Sequence, residues 1–79
     1  MEKIFEIVKS AINEIKQLNG DEYVEVALES RIVQDLGFKS LDIAQLIAML
    51  EIEYEKDPFA EGVSLSEVIS IGDLCKLYL

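Results

Sequence analysis

Histidine and tryptophan are absent from the 79 residues, and cysteine and proline each occur once. Without histidine, the usual zinc ligand sets and any serine or cysteine triad that works through imidazole are excluded. The single cysteine, Cys75, has no partner within the chain, so no disulfide framework is expected, which points to a reducing compartment. Basic residues are scarce. Seven Lys and Arg face sixteen Asp and Glu, a formal net charge of −9. Phosphate contacts need clustered cations, so nucleic acid is not an expected partner, whereas a basic protein surface is. Long apolar runs are missing too. The most apolar window, Ile43 to Leu50, is broken by Gln45 and falls far short of the ~18 residues of a membrane span. Glu2 and Glu6 lie where a signal peptide would need a basic start and an unbroken apolar stretch. The expectation is a soluble, cytoplasmic, monomeric protein that does not insert into membranes.

What is present is globular composition: 51% hydrophobic and 29% charged. The length allows one domain, residues 1–79, and one small core. Ile4, Val8, Ala11, Ile15 and Leu18 recur at spacings of four and three, with Phe5 and Ile12 widening the stripe. This predicts a first amphipathic helix stopped by Gly20. From Asp21 to Gly37 the pattern is mixed. Val24, Val26 and Leu28 alternate, and Ile32 and Leu36 stand four apart, so a long ordered loop is expected. Ser40 is read as the N-cap of a second helix, with Asp42 in its first turn, ending near Lys56 ahead of Pro58. Ile43, Leu46, Ile47, Leu50 and Tyr54 form its core face. Ser64 to Glu67 has capping-box spacing for a short third helix. Ser70 caps a last helix whose inward face is Ile71, Leu74, Cys75 and Tyr78. The predicted class is all-α, a four-helix bundle of three longer helices and a short one, with a long first loop.

The stretch Leu36-Gly37-Phe38-Lys39-Ser40-Leu41-Asp42 resembles the signature of the acyl carrier proteins: Leu-Gly-any-Asp-Ser-Leu, with the serine opening the second helix. Every element matches except the Asp, which is Lys39. The likeness extends from the first helix to the closing Ser70-Ile71-Gly72-Asp73-Leu74. The resemblance implies an acyl-carrier-like bundle that carries cargo and is not an enzyme. It implies a phosphopantetheine arm esterified to Ser40, whose thiol holds acyl groups as thioesters. The implied partners are a phosphopantetheinyl transferase and acyl-transferring or synthase enzymes with basic docking surfaces. Fatty acid, polyketide and specialised lipid pathways all use such carriers. A phosphodiester at a helix start would lie beside unpaired N–H groups and the positive end of the dipole.

Two departures bear on recognition. Lys39 replaces the acid that helps present the site to basic enzymes. On the outer face of the second helix, Leu41, Ala44, Gln45, Ala48, Ile52 and Glu55 align, with less acid at Gln45 and Ile52 than the family carries; all of these but Glu55, together with Lys39 and Glu51, form the expected docking surface. Ile43, Leu46, Leu50 and Val68 are expected to shelter the acyl chain between the second and third helices. The acidic run Glu51, Glu53, Glu55, Asp57, Glu61 lacks the ligand order of an EF-hand, so a solvated face and no metal is expected. Tyr23, Tyr54 and Tyr78 are expected to pack rather than bind a cofactor. Two alternatives stay open: an aminoacyl or peptidyl carrier, and an unmodified acidic helical adaptor.

Overall fold

A computed structural model describes residues 1–79 as three α-helices and one 3-10 turn, with no strands. Helix α1 spans Glu2–Leu18, α2 spans Ser40–Tyr54 and α3 spans Ile71–Lys76; the 3-10 turn is Leu65–Glu67. The apolar stripe of α1 buries Ile4, Val8, Ala11, Ile12 and Ile15. α1 packs against both α2 and α3. Leu46 and Leu50 from α2 meet Ile71, Leu74 and Cys75 from α3 in the same cluster. Full burial of such side chains stabilises by about 1.5–3 kcal/mol each. Truncation of Leu46 would leave a cavity in a site with no exposed surface, a loss of about 2–5 kcal/mol.

The loop from Asn19 to Lys39 is ordered by hydrogen bonds at several points. Asn13 on α1 acts as a backbone mimic: its Oδ1 accepts the Val24 N–H at 2.8 Å and its Nδ2 donates to the Val24 carbonyl at 3.2 Å. The Gly72 N–H donates to the Leu28 carbonyl at 2.7 Å, and the Ile32 N–H to the Ile69 carbonyl at 2.9 Å. These bonds seat Val26, Ile32 and Leu36 in the core, so both halves of the mixed pattern are buried in one loop.

Several expectations need correction. Leu18 is 70% exposed: the buried stripe of α1 ends at Ile15, and the chain leaves the helix at the residue after Leu18. Tyr23 is also exposed, whereas Tyr54 and Tyr78 pack with ring centroids 5.8 Å apart. The short third helix is a single 3-10 turn with no buried residue. α2 stops at Tyr54, where Glu55 takes a left-handed conformation at φ 51°. Ser70 does cap α3: its Oγ accepts the Asp73 N–H at 3.1 Å, and Asp73 Oδ2 accepts the Ser70 N–H at 3.0 Å. No helix is long and apolar enough to cross a membrane.

Candidate functional site

The approach to Ser40 is shaped by Gly37. Its φ of 70° lies in the left-handed region, which a glycine occupies without steric cost. The reversal sends Phe38 into the core and leaves Lys39 and Ser40 exposed. Lys16 Nζ lies over the Phe38 ring at 5.6 Å from its centroid and pins the turn from outside.

Lys39, not Ser40, is the N-cap. Its backbone is extended, with φ −98° and ψ 172°, and its carbonyl accepts the first helical bond from the Ile43 N–H at 3.0 Å. Its N–H donates to Asp42 Oδ2 at 2.9 Å. Ser40 is therefore the first helical residue, and its hydroxyl enters none of the capping bonds. The contrast with the other turn serines is sharp. Ser30 Oγ accepts the Ala27 N–H, Ser64 Oγ accepts the Ser66 N–H and Ser70 Oγ accepts the Asp73 N–H. Ser40 keeps an exposed, uncommitted hydroxyl at the positive end of a 15-residue helix.

Ser40 stands at the rim of an apolar groove of about 350 Å³, walled by Ala44 and Ile47 from α2 and by Phe59, Val63 and Leu65 from the following segment. A second groove of about 440 Å³ lies on the other side of Leu65, lined by Ile32, Val33, Ile43, Val68 and Ile69 together with Gln34 and Ser66. Of the four residues expected to shelter an acyl chain, Ile43 and Val68 line this second groove. Leu46 and Leu50 have no exposed surface and belong to the core beneath. Sequence reasoning missed Phe59, Val63 and Leu65 as groove residues: Phe59 and Val63 sit in the irregular stretch after α2, and Leu65 was legible only as part of a short helical turn. Ile47 carried a helical-period signal but was assigned to the core.

The expected docking residues share one exposed face. Leu41 and Ile52 are 79% and 80% exposed, and Lys39, Ala44, Ala48 and Glu51 are exposed as well; Gln45 is half-buried. No group of three or more acidic or sulfur ligands is placed to hold a metal ion. Cys75 is fully buried, and burial raises its thiol pKa.

The sequence and the fold match known carriers. The chain is 37% identical over 71 residues to the acyl carrier protein of Campylobacter concisus, covering 85% of this chain and 88% of that one. It is 42% identical over 74 residues to the acyl carrier protein of Clostridium acetobutylicum, covering 90% and 86%. A solved relative is MacpD, an acyl carrier protein from Pseudomonas fluorescens involved in mupirocin biosynthesis. It superposes with a TM-score of 0.88 at 37% identity, covering 99% of this chain and 69% of that one. No family model matches the chain. The chain belongs to the acyl carrier protein family, whose members are carriers and not enzymes.

Proposed function

We propose that Ser40 is the attachment point of a phosphopantetheine arm, and that the protein presents acyl intermediates held on that arm. The observation that carries this reading is the exposed Ser40 hydroxyl, free of capping bonds, at the head of α2 and on the rim of an apolar groove. The group fits the residues present. Its phosphate would meet the helix N-terminus and the neighbouring Lys39, and its cargo would meet Ala44, Ile47, Phe59, Val63 and Leu65. The chemistry the group supplies when bound is a terminal thiol that holds an acyl chain as a thioester. The chain's own residues orient the arm and exclude water from the cargo.

The partners of this reading are a phosphopantetheinyl transferase and synthase or acyl-transferring enzymes with basic docking surfaces. The net charge of −9 steers such encounters. The face formed by Lys39, Leu41, Ala44, Gln45, Ala48, Glu51 and Ile52 would meet them. Its apolar centre, with Lys39 at its head, suits dedicated enzymes of a fatty acid, polyketide or specialised lipid pathway.

The test is incubation of the unmodified protein with coenzyme A and a broad-specificity transferase, followed by intact mass and peptide mapping. One phosphopantetheinyl group on Ser40 is expected. No gain with several transferases, or modification at another serine, overturns the reading and leaves an acidic adaptor.

A further inference from the structure

Leu65 borders both apolar grooves: the one that opens at Ser40 and the one walled by Ile43 and Val68. It is the one residue common to the two linings, so its side chain stands between them. Leu65 is 47% exposed and begins a single 3-10 turn that buries nothing. That turn is held by bonds local to itself: the Ser64 N–H to Glu67 Oε2 at 3.2 Å, the Ser66 N–H to Ser64 Oγ at 3.3 Å and the Val68 N–H to the Leu65 carbonyl at 3.1 Å. A segment with no buried anchor and few bonds to the rest of the molecule moves at low cost. Ile43 and Ile47 are four residues apart on α2, so the floors of the two grooves lie on adjoining turns of one helix face.

We propose that Leu65 determines the length of acyl chain this protein shelters. A short chain entering from Ser40 fits against Ala44, Ile47, Phe59 and Val63 and leaves Leu65 in place. A longer chain must displace Leu65, which joins the two grooves and gives it the wall of Ile32, Ile43, Val68 and Ile69. The proposal rests on Ser40 as the attachment point.

The test has two arms. In the first, the native protein and Leu65→Ala are loaded by a broad-specificity transferase with acetyl, hexanoyl, decanoyl and tetradecanoyl forms of the arm, and thermal midpoints are measured. In the native protein the midpoint should rise over the short chains and then level off. In Leu65→Ala it should go on rising to tetradecanoyl, by several degrees; Leu65→Phe should level off at a shorter chain than the native protein. In the second arm a neutral phenylnaphthylamine fluorophore is titrated into the unmodified proteins. Leu65→Ala should bind it severalfold more tightly than the native protein, and Leu65→Phe more weakly. Loading at Ser40 with parallel chain-length profiles in all three proteins overturns the proposal, as does equal fluorophore affinity. Failure to load Ser40 while fluorophore affinity rises in Leu65→Ala overturns the attachment reading and with it the role in cargo length, leaving only the divided groove.

Discussion

Asn19 and Asp42 meet across the mouth of the first loop: Asn19 Nδ2 donates to Asp42 Oδ1 at 2.9 Å. The other carboxylate oxygen accepts the Lys39 N–H at 2.9 Å. One side chain thereby ties the end of α1 to the start of α2, two residues from Ser40. The start of α2, and with it Ser40, is thus joined to α1 by a bond between residues 23 apart in sequence.

Acid should loosen this tie. The Lys39 N–H, with help from the Asn19 amide, holds the Asp42 carboxyl below its ordinary range. The Ser70 and Ile69 N–H groups do the same for Asp73, and the Arg31 guanidinium does so for Asp35. A carboxylate with a depressed folded value stabilises fully above its unfolded value of about 3.9. That stability is lost as pH falls through the folded value. The melting midpoint should therefore drop below about pH 4. Asp42→Ala should melt earlier at neutral pH and lose less on acidification. Parallel melting curves of the two proteins from neutral pH down to about pH 2 would refute the role of Asp42.

Two serine substitutions should separate chemistry from capping. Ser70→Ala removes an oxygen that accepts the Asp73 N–H and should cost about 1 kcal/mol in urea denaturation. Ser40→Ala removes no capping bond and should stay within about 0.5 kcal/mol of the native protein while abolishing modification. Equal losses would show that Ser40 caps α2 in solution.

The hydroxyls of Tyr54 and Tyr78 are buried and lack hydrogen-bond partners. Burial, with Asp57 and Glu51 nearby, pushes the Tyr78 pKa up to about 12. An unsatisfied buried hydroxyl carries its desolvation cost without return. Tyr78→Phe should therefore match or exceed native stability, by up to about 1 kcal/mol, whereas Tyr78→Ala should lose about 3 kcal/mol. A destabilised Tyr78→Phe would reveal a bond to ordered water.

The outer face of α2 can be probed from both ends. Ile52 is exposed, so Ile52→Glu should leave stability within about 0.5 kcal/mol while weakening a dedicated partner enzyme. Lys39→Asp places a good capping side chain at an N-cap that has none and should raise the melting midpoint. It should also speed modification by a generic basic transferase, an effect that shrinks with salt. Equal initial rates for the two proteins at low salt would remove Lys39 from recognition.

Charge repulsion sets a further expectation. Sixteen acids share two ion pairs, Lys9–Glu6 and Arg31–Asp35. The screening length falls from ~30 Å at 0.01 M to ~10 Å at 0.1 M salt, within the 33 Å long axis of the molecule. The melting midpoint should rise across that interval. A flat profile would show that repulsion does not limit stability.

The sequence by itself determined the features whose signals are local. The 3.6-residue stripe of α1, the Leu46 and Leu50 positions of α2 and the Ser70–Asp73 box of α3 each lie within a few residues, and each holds in the fold. The motif around Ser40 was equally legible. Tertiary structure alone decided which apolar residues stay uncovered and where the grooves run. Leu18 continues the α1 stripe yet faces water, because cover comes from a distant segment that does not reach it. Lys39 takes the cap from Ser40 because the Gly37 reversal, the extended Lys39 backbone and the Asp42 carboxylate together set where the helix begins. Phe59 and Val63 lie in a stretch with neither helical nor strand period, and Leu65 opens a turn too short to show a face, so nothing in their spacing says what they face. They become a wall only when the turns after α2 bring them back against it, leaving Leu46 and Leu50 sealed below and a groove open beside Ser40.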